Sequence, residues 1–62
     1  MDIYFMLLEH GIIAHRNSEI LPLQGDKITF DDKELPNYIV LYRRFIYKDQ
    51  NTEIYIILRE DT

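Results

Sequence analysis

The stretch Tyr38-Ile39-Val40-Leu41-Tyr42-Arg43-Arg44-Phe45-Ile46-Tyr47, followed after a polar break by Glu53-Ile54-Tyr55-Ile56-Ile57-Leu58-Arg59, decides the fold. Both runs are dense in β-branched and aromatic residues, which suit a pleated strand. Between them Lys48-Asp49-Gln50-Asn51-Thr52 carries Asp and Asn, whose side chains bond the nearby backbone and favour turns. The pattern predicts a C-terminal β-hairpin over 38–48 and 53–60.

Pairing Asp49 with Thr52 sets Lys48 against Glu53, an attractive cross-strand pair. Tyr47 then faces Ile54, Phe45 faces Ile56 and Arg43 faces Leu58. One side of the hairpin becomes Ile39, Leu41, Phe45, Tyr47, Ile54, Ile56 and Leu58, interrupted by Arg43, and is the expected core side. The other side carries Val40, Tyr42, Arg44, Ile46, Lys48, Glu53, Tyr55, Ile57 and Arg59. A sheet with one wet side alternates cleanly between apolar and polar residues, and this hairpin does not. Two covers for that second side are open. The N-terminal strands curl over it, or another protein chain lies on it.

Work outward from the hairpin, and the remaining chain reads as short strands. Ile3 to Leu8 is an apolar run with an aromatic and β-branched start, and Ile12 to His15 is a second candidate. Glu9-His10-Gly11 is a turn between them, or Gly11 is a bulge in one bent strand. Arg16 to Glu19 reads as a loop, and Pro22 makes Ile20 to Leu23 an edge or an irregular segment. Gln24-Gly25-Asp26 is a turn signal, and Lys27 to Phe30 alternates as a half-buried strand does. Asp31 to Leu35 is either a hairpin turn or one helical turn stopped by Pro36. The expected fold is all-β (β-dominated): about five short strands in a small antiparallel SH3-like barrel or a strongly twisted meander sheet.

At 62 residues the chain makes a single domain, residues 1–62. So short a domain buries only about 60% of the surface its unfolded chain exposes, and small scaffolds add disulfides, a metal or a partner. There is no cysteine, which excludes disulfides and thiolate metal sites. His10 and His15 alone cannot hold a structural zinc, and no third ligand stands at ligand spacing. Support from association, a homodimer first, is therefore the expectation.

Catalytic signatures are missing too. Ser18 is the sole serine, and Gly11 and Gly25 are the two glycines, so no nucleophile elbow or phosphate-cradling loop can be drawn. The acidic stretch Asp26, Asp31, Asp32 and Glu34 lacks the rhythm of a calcium loop. The expectation is no enzyme, no cofactor and no metal. The N-terminal apolar run has neither the basic flank of a secretion signal nor the length of a membrane helix, so the expected location is cytoplasmic, without a membrane.

What stands out is the mixture of rings and cations on the second side of the hairpin. Tyr42, Arg44, Ile46, Tyr55, Ile57 and Arg59 form the expected partner-binding surface, because Tyr, Arg and apolar anchors dominate protein interfaces. A protein partner or a second copy is the leading occupant. Single-stranded nucleic acid is a lesser alternative, since sheets of this kind stack bases, but a net charge of −4 gives little attraction to phosphate. Another is an inhibitor of a host enzyme or defence complex, encoded by a phage or mobile element. Its supports are the acidic surface, the small size and the AT-rich coding implied by ten isoleucines.

Overall fold

The computed structural model describes residues 1–31 and 37–61 of the chain. The protein is all-β, as the residue pattern predicts. Five strands run in the order β1 (Asp2–Leu7), β2 (Gly11–Asn17), β3 (Lys27–Ile28), β4 (Tyr38–Tyr47) and β5 (Thr52–Glu60). They form one sheet in the spatial order β2-β1-β5-β4-β3, curled into a half-barrel. The alternatives for Asp31 to Leu35 fall, beyond Asp31 itself, on residues outside those described.

The expected hairpin is β4 with β5. Its pairing corrects the sequence reading in two ways. The strands are slid by two residues, so that Tyr47 meets Thr52 and Phe45 meets Ile54. The Lys48 N–H donates to the Asn51 carbonyl at 2.8 Å, so the two turn residues are Asp49 and Gln50 in place of the expected Gln50 and Asn51. Lys48 and Glu53 still meet, diagonally, with Nζ 2.9 Å from Oε1. The second correction is a bulge at Leu41: Val40 pairs with Leu58 while Tyr42 pairs with Ile57. An extra residue reverses the alternation beyond it. Tyr38 and Val40 therefore turn into the core, and Ile39 is carried to the opposite face, against expectation.

The sheet is also not wholly antiparallel, nor a simple meander. β1 runs parallel to β5, with Ile3 beside Ile54 and Leu7 beside Leu58. This places β5 at the centre of the sheet. Its unbroken run Ile54 to Leu58 fits that place, since central strands of parallel pairs are buried on both sides. β1 returns antiparallel through residues 8–10 to β2, whose first residue Gly11 has φ +77°.

The concave side holds the core: Ile3 and Phe5 of β1, Ala14 of β2, Tyr38 and Val40 of β4, and Ile54, Ile56 and Leu58 of β5. The connection from β2 to β3 folds onto this side and contributes Leu21, and Phe30 joins it from just beyond β3. Phe30, expected at the end of a four-residue strand, instead leaves the two-residue β3 and meets Phe5 edge-on at 5.1 Å. The connection is tied to β4 by backbone bonds at 2.9 Å, from the Gly25 N–H to the Val40 carbonyl and from the Val40 N–H to the Asp26 carbonyl.

Gly25 stands in that tie with φ +89° and open space where a Cβ would sit. The cost of a side chain there is backbone strain alone. Gly25→Ala is expected to lose about 1 kcal/mol, read as a fall in Tm of roughly 4–8 °C. An unchanged Tm would show that the tie does not hold this geometry in solution.

Candidate functional site

The convex side of the sheet is built by alternation from the same strands. Opposite Ile3 and Phe5 stand Tyr4 and Met6 on β1, opposite Ala14 stands His15 on β2, and opposite Ile54, Ile56 and Leu58 stand Tyr55 and Ile57 on β5. β4 adds Tyr42, Arg44 and Ile46. Two rows cross the strands. His15, Tyr4, Tyr55 and Arg44 make one, and Ile12, Met6, Ile57 and Tyr42 make the other.

The first row is a ladder of rings. Tyr4 stacks on His15 with centroids 4.6 Å apart and on Tyr55 with centroids 5.4 Å apart. The Asp2 carboxylate holds the His15 ring from the side, Oδ1 to Nε2 3.1 Å. Beyond the ladder, the Glu53 carboxylate holds the Lys48 ammonium above its ordinary pKa, first by a hydrogen bond and then by charge. A cation held high keeps its attraction below the ordinary lysine range and loses it as pH rises through the raised value. The pair is thus intact at neutral pH. Being exposed, it orients the turn more than it stabilises the fold.

Five of the six expected contact residues, Tyr42, Arg44, Ile46, Tyr55 and Ile57, come together on this side. Arg44, Ile46, Tyr55 and Ile57 line, with Met6, a shallow depression of about 220 Å³. Arg59 shares the face but lies at its far end, beside a groove of about 360 Å³ bounded by Leu7, Leu8, Leu41 and Leu58. Ile57 is not open to a partner: it is 3% exposed. Met6 and Tyr42 flank it in the register, so long neighbours on the same face close over it. Among the described residues, no strand stands over the convex side, since every contact between elements is between neighbours in the sheet.

The expectation that Phe45 and Tyr47 belong to the core is corrected. They do point to the core side, but Phe45 is 39% and Tyr47 80% exposed. β3 pairs with β4 only at Tyr38 and Ile39, and the β2–β3 connection reaches only to Val40. Beyond Val40 the strand overhangs, and the molecule is 38 Å long by 20 Å across. On the overhang the Phe45 and Tyr47 rings stack at 6.4 Å and the Arg43 guanidinium sits 5.6 Å over Phe45. Arg43 in the phase of the core was the one sequence signal of this overhang.

Apart from the Tyr38 phenol, which lies in the core, the titratable side chains in the described part are at least partly exposed, and no acidic, basic or amide residue there is buried. No group of three or more metal-ligating side chains gathers among the described residues. No helix there is long and apolar enough to cross a membrane. Comparison with protein-family models, curated proteins and solved structures finds no match to this chain.

Proposed function

We propose that this chain is a non-enzymatic protein-interaction domain that forms a homodimer through its projecting hairpin. The carrying observation is the overhang of β4, where Tyr42 on the convex side is 47% exposed and Phe45 and Tyr47 on the other side are uncovered too. Exposed aromatics beside arginines are the composition of interface centres. A catalytic reading lacks support, because acid–base work needs burial to shift a pKa and the described carboxylates, histidines, lysines and arginines all face water. Single-strand binding is disfavoured by the rings themselves: Tyr4 already has stacked partners on both sides, leaving little ring face for a base. The lack of cysteine suits a reducing compartment, the cytoplasm.

Light scattering from about 1 to 100 μM tests this. The mass is expected to rise from one 7.5 kDa chain to two over that range. Tyr42→Lys is expected to raise the dissociation constant about tenfold or more while leaving the far-ultraviolet spectrum unchanged. Tyr42 is a better probe than Ile57, whose burial makes a charge there destructive to the fold itself. A single-chain mass throughout would overturn the proposal.

A further inference from the structure

We infer that the second copy docks edge to edge, pairing its β4 antiparallel with this one about a two-fold axis at Phe45. The inference rests on the self-association reading above and specifies its geometry. Backbone direction identifies the free groups. Val40 exchanges bonds with the connection outside the sheet, while the Lys48 N–H donates inward across the turn to Asn51. The bulge at Leu41 separates these two phases. Alternation along an antiparallel strand then directs Tyr42, Arg44 and Ile46 toward β5, and Arg43, Phe45 and Tyr47 away from it. Among the described residues, no strand pairs with that outer edge beyond Ile39.

The edge is complementary to itself in one register. With the axis at Phe45, the two Phe45 residues exchange backbone bonds, and each Arg43 does so with the other copy's Tyr47. On the core side a guanidinium meets a ring and a ring meets a ring. On the convex side Arg44 lies opposite Ile46, and Tyr42 opposite Lys48. No like charges face each other. Moving the axis to Arg44 sets the two Arg44 side chains together, and moving it to Ile46 sets Arg44 against Lys48. Like charges directly opposite destabilise a pair, so both slides are rejected. The paired stretch stops at Tyr42, short of the bonds at Val40, so neither connection is displaced. The bodies lie at opposite ends of the shared hairpins.

Proline tests the edge without altering a side-chain surface the fold needs. Arg43→Pro deletes an N–H that no described strand of the single chain pairs with, and proline is tolerated where an edge N–H faces water. The expected result is a native far-ultraviolet spectrum and a dissociation constant raised about tenfold to a hundredfold. A native-like Arg43→Pro protein that dimerises as tightly as wild type overturns edge pairing and leaves self-association by another surface standing. A wild-type chain that never dimerises overturns both. Should Arg43→Pro misfold, a cysteine comparison decides, since the natural chain has none. Phe45 residues meeting on the axis have Cα atoms about 5.5 Å apart, within disulfide reach. Phe45→Cys is expected to oxidise to a linked dimer at least about tenfold faster than Tyr47→Cys, although Tyr47 is the more exposed. Equal rates overturn the register.

Discussion

Ile56→Ala removes about 4 kcal/mol of stability, roughly half or more of what a domain of this length holds. Ile56 is 0% exposed and sits on the central strand, with Phe5 on one side and Arg43 on the other as its Cα partners. Both flanking strands are held by their own ladders, so the surroundings cannot collapse into the space left. Truncating a buried isoleucine costs roughly 2–5 kcal/mol, and the upper half applies where relaxation is blocked. A chain of 62 residues has a total stability of roughly 3–9 kcal/mol. Urea denaturation at one fixed protein concentration checks this, because association would otherwise shift the midpoint. The midpoint should fall steeply with the slope unchanged. Ile20→Ala, at a position exposed to water, should stay within about 0.5 kcal/mol of wild type. Equal midpoints for the two variants would mean that the core lies elsewhere.

Phe30→Ala is the second large loss, about 3–4 kcal/mol, and it should show a local signature first. Phe30, just beyond β3, is the largest side chain that the described residues outside the strands place in the core. It makes the edge-on contact with Phe5, a tilted contact with Tyr38 at 5.9 Å, and carries the Arg16 guanidinium 5.3 Å over its ring. Without the ring, the edge made by β3 and the connection before it loses its anchor from the C-terminal side of β3, while the central strands keep their ladders. Hydrogen exchange at the Gly25 and Val40 amides should then accelerate by more than at Ile56. Phe30→Leu, which refills most of the volume, should cost under about 1.5 kcal/mol. Uniform acceleration at every amide would show that the connection and the sheet open as one unit.

The strands were legible because their residues are β-branched and aromatic, and the turns because Gly, Asn and Asp mark them. The side sharing of Tyr42, Arg44, Ile46 and Tyr55 was legible for a subtler reason. The register error was an even slide, and a period of two is blind to even slides. The bulge at Leu41 was not legible, since neither Gly nor Pro marks it, and it moved Val40 and Ile39 to opposite sides from those expected. The parallel pairing of β1 with β5 was not legible either, because alternation carries no direction along the strand. Burial of Ile57 and exposure of Phe45 and Tyr47 depend on where neighbouring strands stop, which no local pattern encodes.

The parallel pairing of Ile3 to Leu7 with Ile54 to Leu58 also has a consequence for synthesis. β1 must wait for β5, although the three other strands lie between them in the chain. Until Leu58 has left the ribosome, the β1–β2 hairpin carries an inner edge with no partner, and the half-core of Ile3 and Phe5 is open to any passing strand. Closing so long a loop before it is rewarded slows folding toward the millisecond-to-second range of non-local β topologies. The nascent domain is therefore most exposed to misassembly in the interval before Leu58 emerges.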